Sequence, residues 1–139
     1  MTKDDLINSE IEAEHKELQN TVREINIRTL SPCKIFARDN IGSGGANHKY
    51  TIEYENGDLG NQVAYINFQN GTEPENGVNG CTMEDLIAIC IDRLEHFQMG
   101  NFPCRENMLA KTKLEEALMW LNKRTQDRLN RGVEGKEEK

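Results

Sequence analysis

The feature that most constrains this chain is a pair of long amphipathic segments in its second half. After Thr82, apolar residues recur every three or four positions as far as Gly100, and this spacing predicts an amphipathic helix. A second segment with the same spacing runs from about Cys104 to Arg131. Because only residues 101–103 separate the two, the sequence predicts a long helical hairpin. Its apolar stripes are Met83, Leu86, Ile87, Cys90, Ile91, Leu94 and Phe97, and then Ala110, Leu114, Ala117, Leu118 and Leu121.

Strand signals precede the hairpin. Apolar and polar residues alternate over residues 48–55 and again over 62–69, and this period of two predicts two strands. The loop 56–61 joins them, and residues 33–38 form a candidate for a third, shorter strand. Strands and helices do not alternate along the chain, which favours an α+β fold over a doubly wound nucleotide-binding fold. We therefore predict a small antiparallel sheet followed by the two-helix hairpin.

The N-terminal segment is predicted to be a separate amphipathic helix over residues 4–28. Its apolar positions are spaced by three, four and seven residues, and the residue before Pro32 disfavours continuation of a helix. The predicted organisation is an N-terminal helix in 1–30, a main domain in 31–135 and a disordered tail in 136–139. The apolar positions of the N-terminal helix are Ile7, Ile11, Leu18, Val22 and Ile25.

Charge and composition exclude several classes of protein. Seventeen Lys and Arg against 24 Asp and Glu give a net charge of −7, which argues against a general DNA-binding or RNA-binding coat. No apolar run is long enough to span a membrane, and the N-terminus has no apolar segment typical of a secretory signal. We therefore expect no nucleic-acid partner, no membrane association and a cytoplasmic location.

Cysteine and histidine spacing predicts neither a metal site nor a bound cofactor. No two cysteines form a CxxC pair, and the histidines do not match a metal-binding pattern. The residues concerned are Cys33, Cys81, Cys90 and Cys104, together with His15, His48 and His96.

Candidate binding residues lie at both ends of the predicted hairpin. Arg124, Arg128 and Arg131 share one helix face at spacings of four and three, and guanidinium groups bind phosphate oxygens bidentately. The alternative is that they only complement the dipole at the helix C-terminus. At the other end, Phe97 and Phe102 each offer a ring on which a base can stack, or simply fill the hairpin core. Asn107, near the start of the second helix, offers an amide to a ligand or takes part in capping.

The separation of these groups has a geometric consequence. At ~1.5 Å per residue, Phe97 and Arg124 would lie about 30 Å apart within one chain. A single site that uses both residues therefore requires two subunits packed antiparallel. No convergent set of nucleophile, base or paired carboxylates is evident in the sequence, so no catalytic residue is predicted.

Several ordered blocks between residues 48 and 135 resemble phage proteins of the first-described Thoeris anti-defence family. The segment ENMLAKTKLEEALMWLNK is also similar to the helical hairpin shared with anti-CBASS cyclic-oligonucleotide sponges. The blocks that carry the resemblance are 68–71, 77–80, 92–94, 97–98, 105–107, 124–125 and 131–135.

The resemblance implies a sponge, which binds a signalling nucleotide and holds it intact. The ligand of the family is a glycocyclic ADP-ribose made by a bacterial TIR-domain immune enzyme, and some members also bind cyclic di- or trinucleotides. The site lies between protomers of a dimer or hexamer in the cytoplasm of the infected host. By resemblance, Phe97 stacks on the base, Asn107 makes a polar contact to it, and Arg124 and Arg128 contact phosphate. Arg131 is added from helix spacing.

Two other functions stay open at this point. An enzyme that hydrolyses a cyclic nucleotide would need a general base or a metal, and the sequence shows no convergent set. A structural or host-protein-binding phage protein would use the N-terminal amphipathic helix and a second apolar face of the long helix, formed by Met108, Met119 and Trp120.

Overall fold

The computed structural model describes residues 2–8 and 22–132, which belong to two compact units, Met1–Asn67 and Phe68–Lys139. The predicted α+β class is confirmed, since a four-stranded antiparallel sheet is followed by long helices and preceded by a short helix at residues 3–8. The predicted boundaries at residues 30 and 135 stay a prediction. The strands are β1 (Arg23–Glu24), β2 (Lys34–Ala37), β3 (Lys49–Asn56) and β4 (Gly60–Asn67), and the helices are α1 (Glu73–Asn76), α2 (Met83–Met99) and α3 (Arg105–Asn130).

The strands of the first unit lie in the order β1-β2-β3-β4. In β3 and β4, Ile52 pairs with Ala64 and Tyr50 pairs with Ile66, which places the predicted apolar residues of both strands on one face. Ala37 of β2 pairs with Tyr50 on that face and is fully buried. The period-two interpretation of this region is therefore confirmed, although β4 begins and ends two residues before the predicted 62–69 and the loop is shorter than the predicted 56–61.

The N-terminal helix was predicted too long. The helix expected over residues 4–28 is wrong at its C-terminal end, because Arg23 and Glu24 form a strand that pairs with β2. The Ile25 amide donates a hydrogen bond to the Ile35 carbonyl at 2.8 Å and extends this contact. Val22 and Ile25 are β-branched and fit a strand as well as a helical stripe, so pairing with the sheet decides between them. The predictions for residues 9–21 and for the tail at 136–139 lie outside the described residues.

A polar network fixes the loop between β2 and β3. The Asp39 carboxylate accepts hydrogen bonds from the amides of His48 and Lys49 at 3.1–3.2 Å. Asn47 donates to the Asp39 carbonyl at 2.7 Å and accepts from the Arg23 guanidinium at 2.7 Å, so the network also holds β1. Burial alone would raise the pKa of Asp39, but the hydrogen bonds outweigh it and hold that pKa below its ordinary value.

The second unit contains the helical hairpin, close to its predicted ends. Thr82 caps α2 in a reciprocal capping box with Asp85. At the turn, the Gln98 side chain donates to the Cys104 carbonyl at 3.0 Å and accepts from the Cys104 amide at 2.9 Å. Gly132 has a positive φ of 72°, a conformation that glycine adopts readily just after a helix. The turn predicted around residues 70–80 also contains the short helix α1, which the sequence did not reveal.

Within residues 2–8 and 22–132, no helix is long and apolar enough to cross a membrane. The same part of the chain contains no cluster of His, Cys, Asp and Glu side chains arranged to hold a metal ion.

Candidate functional site

The turn end of the hairpin presents an aromatic ring stacked by an arginine. Phe97 lies in the last turn of α2, and 45% of its surface is exposed. The Arg93 guanidinium carbon lies 4.8 Å from the centre of the Phe97 ring, within the range of a cation–π contact. The two side chains meet because residues i and i+4 are neighbours on a helix surface.

Arg93 has no other interaction among the residues that the structure describes. Its guanidinium therefore keeps its N–H groups available at the surface of the hairpin. The predicted site residues did not include Arg93. Its spacing of four residues from Phe97 is visible in the sequence, but the stacked contact itself is seen only in the structure.

Asn107 lies in the first turn of α3, at the same end of the hairpin as Phe97. Its backbone amide donates to Sγ of the N-cap residue Cys104 at 3.4 Å, so this position takes part in capping through its backbone and not through the Asn107 side chain. The side chain is partly buried rather than fully exposed. The clamp between Gln98 and Cys104 ties this turn of α3 to the end of α2. The structure therefore brings Phe97 and Asn107 to one end of the hairpin.

The three predicted arginines lie at the other end, and their environments differ. Arg124 is exposed and makes no hydrogen bond or ion pair to any residue in the described part of the chain. Arg128 is partly buried. Arg131 caps α3, and its Nε donates to the Asp127 carbonyl at 3.4 Å, which is the capping role open to a basic residue at this end. Arg124 is thus the most available of the three.

An ion pair shows how far apart the two ends are. Lys111 Nζ lies 3.4 Å from Glu95 Oε1, so these residues lie level on the two helices. Phe97 then lies level with Leu109, and Arg124 is about 15 residues, or about 22 Å, further along α3. The distance is shorter than the 30 Å expected from the sequence, but it still separates the two groups.

The same ion pairs show which side of the hairpin carries each group. Lys111 also pairs with Glu115 at 3.6 Å, so Glu95 and Glu115 lie on one side. At about 100° per residue, Phe97 is about 200° from Glu95, and Arg124 is about 180° from Glu115. Phe97 and Arg124 therefore share the opposite side, which we call the ligand face and define by Arg93, Phe97 and Arg124.

Comparison with known proteins places this hairpin in a described group. Residues 60–126 match the model of the Acb2/Tad1 hairpin domain. The matched region contains Phe97, Asn107 and Arg124 and ends before Arg128 and Arg131. The hairpin of this protein is therefore of the Acb2/Tad1 hairpin-domain class.

A curated relative refines the assignment. The chain is 54% identical over 98 residues to Thoeris anti-defense 1 of Bacillus phage SBSphiJ7, a match that covers 70% of this chain and 66% of the relative. The chain thus spans slightly under two thirds of that relative's length. The resemblance to the phage Thoeris anti-defence 1 family, which its sequence blocks predicted, is confirmed.

Proposed function

We propose that the protein is a phage anti-defence sponge that binds a TIR-derived signalling nucleotide, glycocyclic ADP-ribose, and holds it without cleaving it. Sequestration in the cytoplasm of the infected host would keep the signal from its effector. Cyclic di- or trinucleotides are further candidate ligands. The similarity to the phage protein Thoeris anti-defense 1 supports the anti-defence role.

The observation that carries the proposal is the placement of Phe97 and Arg124 on one face at opposite ends of the hairpin. A nucleotide diphosphate needs an aromatic surface for its base and guanidinium groups for its phosphates. One hairpin offers these about 22 Å apart, which is too far for a single small ligand. Two hairpins related by a twofold axis, packed antiparallel through their ligand faces, would place Phe97 of each opposite Arg124 of the other.

The exposure of the hairpin supports such an assembly. Among the described residues, neither α2 nor α3 contains a buried side chain. Leu109 is 47% exposed and Trp120 is 57% exposed, so large apolar surface is left for a second copy to cover. We propose a homo-oligomer, a dimer or a hexamer, in which each site takes Phe97 and Asn107 from one protomer and Arg124 and Arg128 from its partner. Arg131 would lie at the edge of that site.

A mixing experiment tests both the ligand and the shared site. Phe97→Ala and Arg124→Ala are each expected to lower affinity for glycocyclic ADP-ribose by at least a hundredfold, measured by titration calorimetry. A mixed dimer is then co-purified that contains one Phe97→Ala protomer and one Arg124→Ala protomer. One of its two sites retains both Phe97 and Arg124, each from a different protomer. We expect it to bind one ligand per dimer with wild-type affinity.

Controls separate the possible failures. Circular dichroism and native mass must show that each variant stays folded and assembled. If the mixed dimer does not regain binding, the site is not shared between protomers. If the wild-type protein does not bind glycocyclic ADP-ribose, the proposed ligand is wrong.

A further inference from the structure

We propose that Arg93 is a further ligand-binding residue, which donates hydrogen bonds to a phosphate of the nucleotide whose base stacks on Phe97. This inference rests on the proposed function. It extends the site with a cation from the same protomer as the stacking ring.

The first argument is the position of the guanidinium. It lies over the Phe97 ring at 4.8 Å, and 45% of Phe97 is still exposed. A guanidinium is planar and its N–H groups point outward in that plane, so stacking on a ring leaves them free to bind an acceptor beyond the ring edge. A ligand held by Phe97 therefore comes within reach of a planar cation that stacking has already oriented.

The second argument comes from a similar pair in the sheet unit. Arg38 stacks on Phe36 with its guanidinium carbon 4.6 Å from the ring centre. While stacked, Arg38 donates to Thr51 Oγ1 at 3.0 Å and to the Glu53 carboxylate. This pair demonstrates that a stacked arginine in this molecule binds an anion at its edge.

The third argument is the difference between the two pairs. In the sheet, Glu53 supplies the anion that Arg38 binds. In the part of the chain that the structure describes, no carboxylate takes that place beside Arg93. A phosphate of a bound nucleotide would take that place by forming a charge-assisted pair with the Arg93 guanidinium. The available chemistry therefore points to a phosphate of the same ligand.

The test compares variants of Arg93 in the full-length protein. Arg93→Ala is expected to weaken binding of glycocyclic ADP-ribose by about tenfold or more, the typical scale for losing a hydrogen bond to a charged group. Arg93→Lys keeps the charge but loses the planar fork, and it is expected to recover only part of the affinity. Lys123→Ala is the matched control, since it removes the same charge from an exposed ion pair with Asp127 on α3. It should change affinity by less than twofold.

A second measurement separates ligand contact from support of the ring. In a Phe97→Leu background, Arg93→Ala should still lower affinity severalfold if Arg93 itself binds the ligand. No further loss in that background would overturn the inference, because Arg93 would then act only through the ring. The inference is also overturned if Arg93→Ala binds within twofold of wild type while Arg124→Ala loses binding, and the proposed function would survive that result. Absence of binding by the wild-type protein would overturn both.

Discussion

The two arginine–phenylalanine stacks of this molecule have nearly the same geometry and opposite surroundings. Arg38 over Phe36 is neutralised by Glu53 and hydrogen-bonded to Thr51. Arg93 over Phe97 has no acceptor among the described residues. The first pair is complete within the sheet unit, and the second leaves a cation and an aromatic ring at the hairpin surface.

The difference extends beyond these pairs. In the sheet unit, Asp39, Asn47 and His48 also satisfy one another or the backbone. In the hairpin unit, Arg93 and Arg124 have no hydrogen-bond or ion-pair partner in the described part of the chain. A satisfied polar group contributes to folding, whereas an unsatisfied surface cation is available to a ligand. We therefore expect substitutions in the sheet to change stability and substitutions on the ligand face to change binding.

The largest effect on stability is expected for Asp39→Ala. This substitution leaves the amides of His48 and Lys49 without an acceptor and should lower the free energy of unfolding by about 2 kcal/mol. Denaturant unfolding measures this change. Asp58→Ala, in the exposed loop between β3 and β4, is the matched control. A loss of ligand affinity greater than twofold in folded Asp39→Ala protein would contradict the expectation that substitutions in the sheet change stability and not binding.

The Asp39 carboxylate also makes the stability of the protein depend on pH. The pKa of Asp39 is lower in the folded protein than its ordinary value of 3.8. Its contribution to stability is therefore complete above the unfolded pKa and is lost as the pH falls through the folded pKa. Unfolding curves between neutral and acidic pH should show a smaller decline for Asp39→Ala than for wild type. An equal decline in both proteins would show that Asp39 does not contribute in this way.

The next largest effect is expected when a carboxylate is placed beside Arg93, whose stack on Phe97 has none. Ile89 is exposed and precedes Arg93 by four residues, so Ile89→Glu places a carboxylate where it can pair with the guanidinium. We expect affinity for glycocyclic ADP-ribose to fall about tenfold, or about 1.4 kcal/mol, with stability within about 0.5 kcal/mol of wild type. Titration calorimetry and thermal unfolding measure the two quantities.

Ile89→Gln is the neutral control for this variant. Gln has nearly the same shape as Glu but no charge, so Ile89→Gln should bind the ligand nearly as well as wild type. Equal losses in Ile89→Glu and Ile89→Gln would attribute the effect to the lost apolar side chain instead of to Arg93.

A smaller effect is expected when the carboxylate that pairs with the stacked Arg38 is neutralised. Glu53→Gln removes the charge that pairs with Arg38 and should lower the free energy of unfolding by about 1 kcal/mol, because both side chains are partly exposed. Glu55→Gln, an exposed position on the same strand, should change stability very little. If Glu53→Gln altered ligand affinity and left stability unchanged, the roles assigned to the two stacks would be reversed.

The smallest effect concerns an exposed histidine on α2. The pKa of His96 is raised above 6.5, first because its Nδ1 donates to the Asp92 carbonyl at 2.8 Å and second because of the nearby Asp92 carboxylate. The associated stability is present below the unfolded pKa and is lost as the pH rises through the folded pKa. An NMR titration of the His96 ring should give a pKa above that of an unfolded peptide. A value below 6.5 would contradict the observed geometry.

Much of the fold follows from local sequence signals. Thr82, Gly100 and the residues between them predict α2 to within a residue, because caps and periodicity agree there. The segment around Arg23 could not be predicted in the same way. Its apolar residues satisfy a helical spacing, and only pairing with β2, which is distant in sequence, makes it a strand.

The candidate site shows the same division. Helix spacing and resemblance identified Phe97, Asn107 and the three arginines as candidates, and their roles stay predictions. The spacing of Arg93 from Phe97 was visible, but Arg124 has the same spacing from Trp120, so spacing alone does not identify a stacked pair. Only the structure shows that Arg93 stacks on the ring and has no acceptor in the described part of the chain, which distinguishes it from Arg38.

The central claim is that the protein holds a signalling nucleotide intact, and one measurement tests it most directly. Purified protein is mixed with enzymatically made glycocyclic ADP-ribose, free ligand is removed, the protein is heat-denatured, and the released compound is identified by mass spectrometry. We predict intact ligand in near-stoichiometric amount. Release of a cleaved product would identify an enzyme, and failure to retain any ligand would shift the function to cyclic oligonucleotides or a protein partner.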